Sequence, residues 1–123
     1  WKAVDAPHGC VVVVDATETD PTDDDAARWA EHLVASGCDA LGTWVPATDA
    51  LVRLEHGEVV EHLDRAAHGR LGLPQVVTGE WWNRFRTEVD DAGEAALSGL
   101  PAQVIGHLGG EVGVLTTADP PRR

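Results

Sequence analysis

In Val11-Val12-Val13-Val14-Asp15-Ala16 a carboxylate follows four consecutive valines. Such a run of β-branched residues describes a strand buried on both faces, and open α/β sheets place ligands in the crevice beyond the carboxyl ends of their strands. Asp15 is therefore the position from which a bound group would be reached; the plainer reading makes it the cap of a strand that ends in a turn. A second acidic set, Asp23-Asp24-Asp25, follows Thr22. Threonine is a good N-cap and aspartates in a first turn complement the helix dipole, which explains the run with fewer assumptions than a metal site. His56, His62 and His68 recur every six residues. That interval matches neither helix nor strand geometry well enough to converge three imidazoles on a metal.

Charge narrows the chemistry further. The chain has 21 acidic against 9 basic residues, a formal charge of −12, and Lys2 is its only lysine. Its surface potential repels phosphates and anionic lipid, so nucleic acid and membrane surfaces are poor partners. Cys10 and Cys38 fit neither a disulfide framework nor a paired CxxC metal motif, so a reducing, cytoplasmic setting is expected. Neither GxGxxG, a Walker loop, GxSxG, HExxH nor a Cys/His zinc spacing occurs. No apolar run approaches the roughly 18 residues a membrane span needs. The chain begins with Trp1 rather than Met and is expected to be processed or a piece of something longer.

These residues need elements to position them. With 123 residues the chain is expected to fold as a single domain around one core. Trp1 to Gly9, punctuated by Pro7 and Gly9, reads as an irregular lead-in to the valine strand. Ala26, Trp29, Ala30, Leu33 and Val34 recur at helical spacing and lay an apolar stripe on the sheet until Gly37 ends the helix. Trp29 is thus core rather than a ligand stacker. With a strand from Asp39 to Val45, a βαβ unit results, its two strands parallel members of one sheet. Leu51 to Leu63, flanking Glu55-His56-Gly57-Glu58, reads as a β-hairpin whose edges need cover from another subunit. Leu71 to Val77 is a short extended piece broken by Pro74. Thr78 caps a helix whose Trp81, Trp82, Phe85 and Val89 form a core face rather than an aromatic cage for a cation. Asp90 to Gly99 reads as weak helix or loop. Gln103 to Leu108 and Val112 to Leu115 read as two last strands around Gly109-Gly110, and Asp119 to Arg123 as a frayed tail.

The Val-Val-Val-Val-Asp-Ala run, the helix, Val45-Pro46 with Asp49 and Arg53, the hairpin, Leu63-Asp64-Arg65 and Leu73-Pro74-Gln75 stand in a collinear order. From about Cys10 to Asp119 that order resembles the C-terminal part of 2-C-methyl-D-erythritol 4-phosphate cytidylyltransferases. The resemblance implies an α/β, Rossmann-like nucleotidyltransferase sheet, here partial, with a projecting β-hairpin arm at 50–63. It implies an enzyme family that joins CTP to a sugar-alcohol phosphate in the non-mevalonate isoprenoid route with Mg²⁺, releasing pyrophosphate, and a homodimer clasped through the arm. Carried over by position, Asp15 and Ala16 lie at the nucleotide edge, with Asp15 the metal ligand. Asp64 and Arg65 bind substrate, Arg65 on the acceptor phosphate.

The departures are concentrated on positive charge. The family's glycine-rich CTP loop, with its arginine and lysine, belongs to an N-terminal half that this sequence lacks. Its Asp-Ala-Ala-Arg-Pro becomes Asp15-Ala16-Thr17-Glu18-Thr19, the threonine before Pro74 becomes Leu73, and a lysine near Val112-Gly113-Val114 becomes Gly113. Phosphoryl-type transfer is largely positioning plus neutralisation of developing charge, so no residue here is assigned a catalytic role. The expectation is a cytidylyltransferase-like protein, truncated or catalytically degenerate; the alternative is a non-catalytic acidic module for dimerisation or protein interaction.

Overall fold

Val11–Val14 form β2, and all four valines are buried. The structure, a computed structural model, describes residues 1–46, 51–63, 69–92 and 100–115. A five-stranded sheet runs in the order β1-β2-β6-β3-β7, where β1 is Lys2–Asp5, β3 Ala40–Pro46, β6 Gly69–Val77 and β7 Val112–Leu115. β6 is antiparallel to both β2 and β3, and β3 is parallel to β7. The two strands of the expected βαβ unit are therefore parallel members of one sheet, with β6 between them. Gln75, Val76 and Val77 are paired on both sides, Val76 lying opposite Val12 on one and Leu41 on the other.

Helices cover both faces, which is why the valine run does not alternate with polar residues. On one face α1, Asp23–Ser36, packs Ala26, Trp29, Ala30 and Leu33 onto Val12, Val14, Leu41 and Val76. Thr22 accepts a hydrogen bond from the Asp25 amide at 3.1 Å, and Gly37 ends the helix in the left-handed region at φ 72°. Val34, expected on the stripe, is exposed. It lies one residue, about 100° of rotation, past Leu33 and so turns off the sheet. On the other face α2, Gly79–Ala92, and α3, Pro101–His107, bury Trp81, Phe85, Ala102 and Ile105 against Ala40 and Val77. Thr78 caps α2 through its hydroxyl, which accepts from the Trp81 amide at 3.3 Å. Trp82 and Val89 pack at the edge of this cluster, so the four bulky groups are core, as expected.

Two expectations are corrected. Lys2–Asp5 is a strand, paired antiparallel with β2. Pro7 and Gly9 do punctuate the chain, but as a tight turn with His8 at φ 62° and Gly9 at φ 70°, which folds the preceding residues back onto the valines. The second correction is Gln103 to Leu108, expected as a strand and observed in the helix Pro101–His107 and its cap. Pro101 opens the first turn, where its missing N–H costs nothing, and burial of Pro101, Ala102, Val104 and Ile105 follows the helical repeat.

The hairpin is present. Leu51–Glu55 (β4) and Glu58–Leu63 (β5) pair antiparallel as a separate two-stranded sheet. His56 and Gly57 both have positive φ, 52° and 83°, as a tight two-residue hairpin turn requires. The hairpin is inserted between β3 and β6, whose own pairing extends out to Pro46 opposite Gly69. Its bounds are those expected for the hairpin, Leu51 to Leu63. Asp64, Arg65 and the tail from Asp119 lie outside the described residues.

Candidate functional site

Where β2 ends, the chain turns sharply through residues 15–18, the Glu18 amide donating to the Asp15 carbonyl at 3.1 Å. The Asp15 carboxylate organises this turn. Its Oδ1 accepts from the Thr17 hydroxyl at 2.6 Å and from the Thr17 amide at 2.8 Å. These bonds, the hydroxyl's first and then the amide's, hold the Asp15 carboxyl below the ordinary carboxylate range, because both stabilise the ionised form. Asp15 thus combines the capping role and the position at the mouth of the sheet.

The segment after Asp15 walls an open cleft of about 580 Å³ against α1 and β6. That volume falls in the range of small-molecule sites. Val14, Trp29, Leu73 and Pro74 supply apolar surface. Asp15, Glu18, Asp20 and Asp25 supply carboxylates. Trp29 belongs to the core, as expected, yet it also lines the cleft, and its indole N–H has no acceptor among the described residues. Ala16 is exposed in the turn and is not among the lining residues.

Two cations balance part of this charge. Lys2, on the edge strand opposite Val14, sends its ammonium to the Glu18 carbonyl at 2.7 Å and to the Asp20 carboxylate at 2.7 Å. Arg28 pairs with Asp25 at 2.9 Å, one turn along α1. Asp15 and Glu18 are in no ion pair among the described residues. Among those residues no group of three His, Cys, Asp or Glu side chains converges to hold a metal ion. Asp15 by itself can supply one carboxylate, which suits Mg²⁺ only in company with phosphate oxygens from a ligand.

Several parts of this site escape a reading by type and spacing. Lys2 is singular in the composition, but only the β1–β2 pairing shows that it reaches residues 18–20. Pro74, expected to break the extended piece from Leu71 to Val77, lies within β6, and with Leu73 it forms the far wall. Behind that wall Gln75 is fully buried: its Oε1 accepts from the Ala102 amide at 2.9 Å and its Nε2 donates to Gln103 Oε1 at 3.1 Å. Gln103 in turn donates to the Leu71 carbonyl at 2.6 Å, so β6 is tied to the start of α3 on both sides of Pro74. Among the described residues no helix is long and apolar enough to cross a membrane.

No protein-family model matches the chain, and no curated protein matches it in sequence. Solved structures do. The chain is similar to 2-C-methyl-D-erythritol 4-phosphate cytidylyltransferase from Thermus thermophilus, at 21% identity and a TM-score of 0.58, over 94% of this chain and 56% of that one. The Francisella tularensis enzyme of the same name matches at 19% identity and a TM-score of 0.58, over 85% of this chain and 49% of that one. A 4-diphosphocytidyl-2C-methyl-D-erythritol synthase matches at 21% identity and a TM-score of 0.51, over 85% and 45%. The chain spans about half the length of these enzymes and shares with them an α/β, cytidylyltransferase-like fold.

Proposed function

We propose that this chain is a cytidylyltransferase-like domain related to the non-mevalonate isoprenoid enzymes, one that does not by itself join CTP to a sugar-alcohol phosphate. The observation that carries the reading is the charge at the mouth of the sheet. Four carboxylates line the cleft, and Lys2 and Arg28 are engaged by Asp20 and Asp25. A triphosphate and an acceptor phosphate need oriented cations at this place, and removal of one such group commonly costs a few kcal/mol of transition-state stabilisation. Glu18 stands where the resemblance expects an arginine, so one position changes by two units of charge.

In this reading Asp15 is the residue that would hold Mg²⁺ beside bound phosphates, with Ala16 next to the nucleotide. Asp64 and Arg65 are the acceptor-side residues, and Arg65 is the cation for the acceptor phosphate. The hairpin is the arm of a homodimer. Its strands pair only with each other among the described residues, which leaves two edges for a second copy to cover.

The test is incubation of the purified chain with CTP, Mg²⁺ and methylerythritol phosphate while pyrophosphate is followed. No release above the protein-free control is expected. Robust release that disappears in Arg65→Ala would overturn the reading. Sedimentation gives the assembly state independently, with a dimer expected and a monomer at high micromolar concentration counting against the arm.

A further inference from the structure

The strand β1 lies at the rim of the sheet, and among the described residues β2 is its one sheet partner. We propose that β1 is exchangeable between molecules. The turn after it opens, and β1 of one copy pairs with β2 of a second, giving a strand-swapped dimer in which each cleft is completed by Lys2 of the partner subunit.

The turn carries the inference. It runs from Ala6 to Cys10 and leaves Pro7, His8 and Gly9 exposed. Ala6, at φ −134° and ψ 166°, and Cys10, at φ −81° and ψ 164°, are already extended, and the ring of Pro7 fixes a φ that extended backbone accepts. His8 and Gly9, at φ 62° and 70°, are the residues that fold the chain back. Glycine takes that conformation freely, whereas a residue with a Cβ is strained in it. Rotation at these two residues therefore releases the strain at His8 and turns the bend into one extended segment, in which residues 6–10 span roughly 17 Å. Short hinges under strain favour such exchange. The backbone bonds that close the turn run from the Ala6 amide to the Cys10 carbonyl at 2.9 Å and from the Cys10 amide to the Pro7 carbonyl at 3.2 Å, and water can replace them at this exposed bend.

The contacts that hold β1 are the same in both forms. Its rungs run from Lys2 opposite Val14 to Asp5 opposite Val11. Trp1, 49% exposed, sets its ring 5.8 Å from those of Trp82 and Phe85. Lys2 Nζ reaches the Glu18 carbonyl and the Asp20 carboxylate on the cleft loop. A second copy offers β1 these same groups, so the complementarity that closes the monomer also selects the partner. The balance between closed and swapped forms is then set by the hinge and by protein concentration.

The test mixes ¹³C-labelled and unlabelled chain at millimolar concentration, warms the mixture below its unfolding midpoint to allow exchange, and records isotope-filtered nuclear Overhauser effects across the Ala3–Val13 and Val4–Val12 rungs. Contacts between labelled and unlabelled chains are expected, growing with concentration. His8→Gly removes the strain from the closed turn, and because each dimer opens two hinges it should weaken the swapped dimer about tenfold or more. Rung contacts confined to one chain at every concentration, or a swapped dimer as tight in His8→Gly as in the parent, would each overturn the proposal. A dimer clasped by the hairpin keeps the rungs within one chain, so that result overturns the exchange of β1 and leaves the reading of the arm standing.

Discussion

Lys2 and Asp20, 18 residues apart in sequence, meet at 2.7 Å across the end of the valine strand. The same ammonium reaches the Glu18 carbonyl, so an edge strand fixes the loop that walls the cleft. Strand pairing does the positioning: Lys2 lies opposite Val14, one residue before the turn at Asp15.

Replacing that ammonium isolates its contribution. Lys2 and Asp20 side chains are 34% and 64% exposed, so solvent screens the pair and its share of stability is small, about 0.2–1 kcal/mol. Lys2→Met is therefore expected to lower the melting temperature by only a few degrees. Hydrogen exchange at amides 16–20 should quicken far more than at β2, because the loop loses its tether while the sheet keeps its ladder. Equal protection of the loop in the variant would show that the Asp15–Thr17 turn suffices.

Gln75 is a different case, since its cost is set by burial. Gln75→Ala leaves the Ala102 amide and Gln103 Oε1 without the partner that Gln75 supplies, while Gln103 Nε2 keeps the Leu71 carbonyl. An unsatisfied buried polar group costs about 1–3 kcal/mol, and the lost side-chain volume adds to that. Urea unfolding should show a loss of roughly 2–4 kcal/mol with an unchanged slope. Gln75→Glu keeps the volume and the acceptor but sets a fully buried carboxylate oxygen against Gln103 Oε1, so at neutral pH it should be no more stable than the alanine variant and should recover as the pH falls and the carboxyl is protonated.

How far the sequence discloses all this depends on whether a feature is local. The valine run, the Thr22 cap, the Gly37 stop and the His56-Gly57 turn are each written within a few residues, and the structure has them. Lys2–Asp5 was opaque because a strand defined by its partner has no periodicity of its own in four residues. The helix at 101–107 was opaque because Val104 and Ile105 favour strands locally, while docking against Trp81 and Phe85 decides the outcome. At the site, Asp15 was legible as a strand end. The Lys2 tether and the Leu73-Pro74 wall are not, since the first depends on the pairing of β1 with β2 and the second on the placement of β6 beside β2.

Gly79 tests the joint between the lead-in turn and α2. A Cβ placed there would stand 2.5 Å from the Gly9 carbonyl oxygen, a backbone atom that cannot rotate away. The helix-favouring gain of alanine over glycine, at most about 1 kcal/mol, is outweighed by that overlap. Gly79→Ala should lose about 1–3 kcal/mol in chemical denaturation. As a control, alanine at Gly106 meets nothing nearer than 3.7 Å and should be neutral or stabilising within α3.

The last prediction concerns the protonation of Asp15. Its carboxyl lies below the ordinary range because the Thr17 hydroxyl and then the Thr17 amide donate to the ionised form. A depressed folded-state value means that the carboxylate favours the fold above its unfolded value, and that this contribution fades as the pH falls through the folded one. Thr17→Val removes the hydroxyl and keeps the amide. Carbon-detected titration of Asp15 should then show the midpoint rise toward the unfolded value without reaching it, with the acid limb of the stability curve less steep. A midpoint unmoved in Thr17→Val would assign the depression to the Thr17 amide together with the nearby charges of the N-terminus and Lys2, and would make the turn, rather than the hydroxyl, the device that keeps Asp15 charged at the mouth of the cleft.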